Sequence, residues 1–502
     1  MNIKILSRLQ QISLVAIFSL ALIGCTVGPD FRTPDAPTTR GYTAAPLPDK
    51  TVEAPGIGGA AQSFVMGKDI PLEWWTLFHS QALDQLIRQA FADSPTLEST
   101  KARLRVVKEN LQSQKGVLFP SVDAAASVSR EKISGAATGQ PETYINPFTL
   151  INASVSVAYA LDIFGGARRQ LEALKAGVEY QQFQLEGAYL TLASNIVTTV
   201  FKEASLRMQI QATRQIITIL EQNLQIMEKR LDIGVVSLSD VLAQRTQLEQ
   251  VKATLPPLEG NLAQTRNQLS IFIGKLPGDA QIAEFDLDQM QLPAELPVSL
   301  SSTLVRQRPD IRAAEAQLHA ASARVGVATA RLYPQITLTA GYGSNATTVE
   351  NLFDGPSTIY NFGGGLLQPI FQGGALTASR RAAIAAYDEA YAQYRETVLE
   401  SFQNVADVLN ALEADARTLQ ALGNAEATAL NALDLTRRQF ELGAVSYLLL
   451  LNAQRQYQDA RINLIRAKAG RFADTAALFQ ALGGGWWNKS KPEDATALLN
   501  KE

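Results

Sequence analysis

The chain contains one unit twice. Pro95, Ala102, Leu104 and Pro120 recur as Pro309, Ala316, Leu318 and Pro334 at a spacing of 214 residues. Gly234, Val236, Ser237, Leu242 and Gln247 recur as Gly443, Val445, Ser446, Leu451 and Gln456 at a spacing of 209. Between these blocks Ile163-Phe164-Gly165-Gly166 is answered by Ile370-Phe371-Gln372-Gly373-Gly374. A constant order with small drifts in spacing marks a duplicated unit of about 190 residues whose loops differ in length. The 502 residues are therefore two copies of one architecture, and not the three unrelated domains that about 150 residues per domain would suggest.

Each copy opens with an amphipathic helix, about 82–116 and about 300–331, carrying Ser94-Pro95-Thr96-Leu97 or Arg308-Pro309-Asp310-Ile311 and ending before Pro120 or Pro334. Segments of period two follow, predicting strands at about 121–131, 151–163, 335–343 and 359–370. Val122, Ala124, Ala126 and Val128 alternate with Ser121, Asp123, Ser127 and Ser129, and Ile336, Leu338, Ala340 and Tyr342 alternate with Gln335, Thr337, Thr339 and Gly341. This small, nearly uncharged polar face suits a soluble sheet, and it suits equally a barrel with lipid outside and water inside.

A long helix follows in each copy, because no proline occurs from Phe148 to Leu255 or from Ile370 to Lys491. Tyr189, Leu192, Ile196, Thr199, Glu203, Leu206, Ile210, Thr213, Ile217, Leu220, Leu224, Met227 and Leu231 form a heptad seam. Val398, Val405, Val408, Leu412, Leu419, Leu422, Leu433 and Phe440 repeat it, interrupted by Ser401, Asp415, Glu426 and Thr436. The 67 residues from Gly165 to Leu231 span about 100 Å as a helix. Gly234-Val235-Val236-Ser237 and Gly443-Ala444-Val445-Ser446 interrupt the two helices, each with a glycine C-cap and a serine placed to N-cap a returning helix. The expected fold is thus mainly α with a small β portion: two repeats, each a long helical hairpin plus two strands. Four strands cannot close a transmembrane barrel, so a membrane reading requires two or three copies of the chain.

The amino terminus assigns the compartment. Lys4 and Arg8 precede an apolar stretch, Ile12 to Ile23, that reads as a secretory signal over residues 1–24. Leu22-Ile23-Gly24-Cys25 then has the form of a bacterial lipobox, and the single cysteine of the chain stands where a lipid would be attached. Residues 25–62, with prolines at 29, 34, 37, 46, 48 and 55, form a semi-extended tether. The first repeat then occupies 63–290, the second 291–485, and 486–502 form a C-terminal tail. A balance of 45 basic against 48 acidic residues provides no field for nucleic acid. One cysteine and two histidines, His79 and His319, cannot build a Cys/His metal cluster. Gly363-Gly364-Gly365 and Gly373-Gly374 lack the Gly-Lys-Ser/Thr of a phosphate loop and read as bends at the strand-to-helix junction. Trp74, Trp75, Trp486 and Trp487 flank the helical body and are expected to pack where tether and tail meet it.

Several of these stretches resemble the TolC-like outer-membrane efflux proteins, in the lipoprotein branch that serves resistance-nodulation-division pumps. The resemblance rests on Cys25-Thr26-Val27-Gly28-Pro29-Asp30-Phe31, on Trp74-Trp75-Thr76-Leu77-Phe78 with Leu83 and Leu86, and on Arg308-Pro309-Asp310-Ile311. It rests also on the Phe-Gly-Gly steps and on Ser446-Tyr447-Leu448-Leu449-Leu450-Leu451-Asn452-Ala453-Gln454-Arg455. It implies a homotrimer with a twelve-stranded outer-membrane barrel over a periplasmic helical tunnel, working with a periplasmic adaptor and an inner-membrane pump. The implied function is a passive exit duct for small molecules such as drugs, with no enzymatic activity and no cofactor. The same fold serves type I secretion and metal efflux, and the alternative outside the family is a lipid-anchored periplasmic coiled-coil scaffold. Thr26, where an aspartate would favour inner-membrane retention, points to the outer membrane.

The resemblance also implies an aperture where the hairpin tips of three chains converge. Ser239 and Asp240 take that place in the first tip, after the turn at Gly234. In the second, after Gly443, Leu449 and Asn452 stand where relatives often carry aspartates, implying a more hydrophobic constriction. Asp240 also has the alternative role of capping the helix that begins after Ser237.

Overall fold

The computed structural model describes residues 26–39, 41–132 and 146–489. The signal segment 1–24, Cys25 and the tail beyond residue 489 lie outside the described residues. In chain order the elements are β1 (Ser63–Met66), α1 (Gln81–Asp93), α2 (Pro95–Lys115), β2 (Ser121–Glu131), β3 (Phe148–Leu161), α3 (Gly166–Asp232) and α4 (Leu238–Phe272). The second copy gives β4 (Glu295–Val298), α5 (Ser301–Gln307), α6 (Pro309–Ala330), β5 (Gln335–Ala346), β6 (Thr358–Leu367), α7 (Ala375–Glu441) and α8 (Tyr447–Ala481). The long helices α3 and α7 are each 67 residues and their returning partners α4 and α8 are each 35. No described helix is long and apolar enough to cross a membrane.

Two compact units are formed, and neither is one sequence repeat. The first takes 103–181 from one copy and 313–394 from the other, together with the tether up to Pro34. The second takes Asp35–Ala102, Gln182–Arg312 and the chain from Arg395 onward.

The first unit holds a four-stranded antiparallel sheet in the order β2-β3-β5-β6. Its central pairing, β3 with β5, joins one copy of the repeat to the other. β3 starts at Phe148, earlier than the expected 151, and stops at Leu161 because Asp162 turns to cap α3, accepting from the amides of Ala167 and Arg168 at 2.9 Å each. β5 runs on to Ala346 and β6 ends at Leu367, before Pro369. Gly363–Gly365 are therefore not bends: they lie inside β6, opposite Thr339, Leu338 and Thr337.

In the second unit the seam of α3 is the buried stripe. Leu192, Ile196, Leu206, Ile210, Leu220 and Met227 are buried, and so are its polar members Thr199, Glu203 and Thr213. Glu203 tolerates complete burial because Arg207 (2.7 Å), Arg266 (3.0 Å) and the amide of Phe285 (3.4 Å) surround its carboxylate. An aromatic core draws on both copies: Trp74 stacks on Phe479 at 5.3 Å between centroids, and Phe201 meets Phe78 at 4.9 Å and Phe472 at 5.3 Å.

Three further features differ from the sequence expectation. The opening helix of each copy is two helices, broken at Ser94-Pro95 and Arg308-Pro309, where Ser94 (ψ 120°) and Arg308 (ψ 126°) take the extended geometry that a following proline imposes. β1 and β4 form a parallel ribbon, Ser63 opposite Glu295 to Met66 opposite Val298, so the described residues hold six strands and not four. The ribbon escapes a period-two reading because each strand is four residues long and β4 contains Pro297. The tether is also better anchored than a solvated linker. Thr51 and Gln62 are buried, held by Arg471, whose Nη2 donates to Thr51 Oγ1 at 3.0 Å and to the Ala60 carbonyl at 2.8 Å.

Candidate functional site

Three places combine the residues singled out by the sequence: the sheet, the tether beside it, and the two hairpin tips.

The register divides the sheet into two unlike faces. One row runs Val122, Val157, Ala340, Phe362 and another Ala124, Val155, Tyr342, Tyr360, with Val128, Ile151, Leu338 and Leu366 on the same side. The opposite face carries Asp123, Ser156, Gly341 and Asn361 in one row and Ser121, Ala158, Thr339 and Gly363 in another. Phe362 is 81% and Tyr360 73% exposed, so nothing in the described chain covers the apolar face. An uncovered apolar face of this extent marks contact with a membrane or another protein. Among the described residues, β2 and β6, of 11 and 10 residues, also leave their outer backbone groups without a partner strand.

The first residues of the tether lie in the same unit. Thr26 packs against Gly165, and the Val27 amide donates to the Phe164 carbonyl at 3.2 Å, three residues beyond the end of β3. Buried Arg169, near the start of α3, donates to the Val27 carbonyl at 3.2 Å and pairs with Asp30 at 2.6 Å and Glu172 at 2.7 Å. Gly28 has φ +98°, and a Cβ there would come within 2.4 Å of the Gly326 backbone, so the close passage of the tether over α6 requires glycine. His319 holds no ligand set: it stacks on Phe31 at 4.4 Å and meets Glu172 at 3.0 Å. Among the described residues no group of His, Cys, Asp and Glu is arranged to hold a metal ion.

Both tips lie in the second unit and turn in the same way. The Gly234 amide bonds the Leu231 carbonyl and the Val235 amide the Arg230 carbonyl, each at 2.9 Å; Gly443 bonds Phe440 at 3.0 Å and Ala444 bonds Gln439 at 2.8 Å. With φ of 73° and 72°, Gly234 and Gly443 supply the left-handed residue that this helix ending needs. The helices that follow start differently. Ser237 Oγ accepts from the Asp240 amide and the Asp240 carboxylate accepts from the Ser237 amide, both at 3.2 Å, a complete capping box, with Ser239 Oγ 2.7 Å from Ser237 Oγ. Ser446 makes no side-chain cap, and Leu449 occupies the position equivalent to Asp240. Leu449 and Asn452 are exposed.

The tips are locked together by residues that sequence reasoning passed over. Tyr447 packs on Phe440 with centroids 5.4 Å apart and donates its hydroxyl to Gln244 Oε1; burial, and next the Asp240 charge, push its phenol above the usual range. Arg455 donates to Gln247, Arg461 to Gln215 at 2.7 Å and Arg466 to Gln209 at 3.1 Å, three arginines of α8 set against three glutamines of the first hairpin. Tyr447 and Arg455 lie within the motif already noted. Nothing in their spacing distinguishes Arg461 and Arg466 from solvated surface residues.

The sequence model of the family described as "Outer membrane efflux protein" matches residues 86–275 and again 300–484, once in each copy of the repeat. The chain is 29% identical over 479 residues to "Probable efflux pump outer membrane protein TtgC" of Pseudomonas putida, covering 95% of this chain and 96% of that protein. It is 31% identical over 424 residues to "Pyoverdine export outer membrane protein OpmQ" of Pseudomonas aeruginosa, covering 82% and 87%. The solved structure of the outer-membrane channel OprN superposes with a TM-score of 0.82 at 27% identity, covering 92% of this chain and all of that one.

Proposed function

The chain belongs to the outer membrane efflux protein family and is an outer-membrane efflux channel, an exit duct; on that premise we propose how its parts divide the work. Three copies pair edge to edge, β6 of one with β2 of the next, and close the four-stranded sheet into a twelve-stranded barrel. The observation that carries this reading is the sheet itself, with two unpaired edges and one uncovered apolar face. Two copies would give eight strands, a barrel that side chains fill; twelve strands leave a lumen. The Ser, Thr, Asn and Gly face lines that lumen, and the Val, Ile, Tyr and Phe face meets lipid.

Cys25 carries the lipid anchor. The next residue, Thr26, is held against Gly165, just past the end of β3, which supports an anchor at the membrane boundary of the barrel. Several acyl chains there make a stable anchor. The tips form the closed end, with Ser239, Asp240, Leu449 and Asn452 around the aperture and Gly234 and Gly443 as its turns. Opening is a shift of the tip hairpins, driven by a periplasmic adaptor coupled to an inner-membrane pump of the resistance-nodulation-division type. Ile233, Val235, Leu442 and Leu448, all exposed, offer that adaptor an apolar landing. The cargo is small molecules such as drugs; among the relatives, OpmQ is named for pyoverdine export.

Purified protein tests this. It should run as a trimer resistant to mild SDS and give single-channel conductance in planar bilayers, and Cys25→Ser should abolish palmitate incorporation while leaving conductance intact. A monomer without conductance would refute the barrel, and palmitate retained in the variant would refute the anchor.

A further inference from the structure

A cavity of about 330 Å³ opens in the second unit, between α1, α3 and the turn that follows α8. Trp75, Phe91, Tyr189 and Trp486 form most of its wall. The rings are fixed edge to face, Trp75 with Phe91 at 5.6 Å and Phe91 with Tyr189 at 5.0 Å. The indole N–H of Trp75 is committed to Asp84 at 3.0 Å and that of Trp486 to the Gln307 carbonyl at 2.6 Å. What remains for an occupant is therefore aromatic surface, which holds apolar matter and, over the ring faces, positive charge.

The chain already places a cation there. Lys489 Nζ lies 5.1 Å from the centre of the Tyr189 ring and pairs with Glu186, which also lines the cavity. An ammonium seated on an aromatic ring, beside a carboxylate, at the mouth of an aromatic void has the arrangement by which proteins bind alkylammonium ligands. Lys489 itself fills only the charged end of the space. The structure points to a binding site for a small organic cation, an ammonium bearing an aromatic or branched alkyl group, with Lys489 as the intramolecular occupant that such a ligand displaces. Glu186, freed from Lys489, then pairs with the ligand, and its apolar part fills the void against Trp75 and Trp486.

The site is independent of the barrel and of any movement of the tips. Its test is a calorimetric titration of the intact purified protein in detergent with phenyltrimethylammonium, alongside its neutral isostere tert-butylbenzene. One saturable site per chain is expected for the cation, with at least tenfold weaker binding of the isostere. Lys489→Met should tighten the cation by about fivefold, because the nearer of the two ammoniums over Tyr189 is gone while Lys101, at 5.6 Å, stays in place. Tyr189→Leu and Glu186→Gln should each weaken it by about fivefold or more. Equal affinity for the two probes, or an affinity unchanged or lowered in Lys489→Met, overturns the proposal, as does the absence of saturable heat. If Tyr189→Leu fails to assemble, the lysine and glutamate variants decide alone, since neither of those side chains is buried.

Discussion

Replacing Asp415 with asparagine should remove one defined component of the protein's pH-dependent stability between about 4 and 8. Asp415, on α7, interrupts the second heptad seam and faces Asp474 and Arg471 of α8. Burial first, then the hydrogen bond and negative charge of Asp474, push its carboxyl up to about 7 against the pull of Arg471. Among the described residues Asp415 Oδ2 and Arg471 Nη1 have no hydrogen-bond partner, so neither charge is fully compensated. Because the folded pKa lies above the unfolded 3.8, the native state keeps a proton that the unfolded chain releases. The contribution of Asp415 is therefore most favourable at low pH, falls as pH rises from about 4 to about 7, and levels off beyond. A shift of about three units corresponds to roughly 4 kcal/mol at about 1.4 kcal/mol per unit. Asp415 is only half-buried, so solvent screening reduces this to about 2 kcal/mol. The asparagine side chain is a permanent copy of the protonated state. In guanidinium unfolding of the detergent-solubilised protein, followed by far-ultraviolet circular dichroism, wild type should lose about 2 kcal/mol between pH 4 and pH 8 relative to Asp415→Asn. At pH 4 the two should coincide. Parallel profiles, or a variant less stable at pH 8, would show that the Asp415 carboxyl is solvated and ionises in its ordinary range.

Other perturbations address the proposed duct. Arg169→Ala removes a bond to the Val27 carbonyl and a pair with the exposed Asp30, together worth about 1.4 kcal/mol, so limited proteolysis of the 26–34 segment should speed up about tenfold; an unchanged rate would mean the dock is held elsewhere. Tyr447→Phe strands the buried Gln244 amide oxygen, its nitrogen still bonded to Leu220, at a cost of about 1–3 kcal/mol, and combined with Arg455→Ala it should raise the open fraction in planar bilayers; a closed, wild-type record would exclude these residues as the latch. Asp123 sits on the small-residue face, and three copies would form an acidic ring, so Asp123→Asn should lower cation-over-anion selectivity by roughly twofold. No change in reversal potential would put that face outside the lumen.

The sequence exposed the periodic features and hid the aperiodic ones. The α3 seam is legible because burial at 3,4 spacing leaves the same trace whatever the partner helix. β2 is legible because alternation of small polar and apolar residues survives even where neither face meets a soluble core. β1 and β4 are not: a four-residue strand shows barely two alternations, and Pro297 argues against a strand at all. The latch between the tips is equally hidden, since an arginine that donates to a glutamine on another helix has the same local pattern as one that donates to water. Glu203 and Asp415 fall between these cases. A carboxylate on an apolar seam is a visible anomaly: Glu203 is met by two arginines, whereas Asp415 faces a second carboxylate and its affinity for a proton rises.

The two copies agree in backbone and differ in tip chemistry. Equal helix lengths of 67 and 35 residues preserve the reach of both hairpins, which any closed ring of alternating hairpins requires. The first turn of α4 is closed by Ser237 and Asp240, whereas the first turn of α8 exposes Leu448 and Leu449 and leaves its amides without a side-chain cap. A lost cap costs a helix start about 1 kcal/mol, and the negative charge of Asp240 adds a favourable interaction with the helix dipole that leucine cannot supply. The second tip is thus the less capped and more apolar of the two, held by Tyr447 on Phe440 and by a buried cluster of Leu450, Leu451 and Ala453 with Met227, Val241 and Leu433. A ring of three chains would alternate capped polar tips with uncapped apolar ones, and movement that begins at the uncapped set would have to release the Tyr447 contact and slide that cluster, with the Arg455, Arg461 and Arg466 bonds farther along α8 left to set how far it travels.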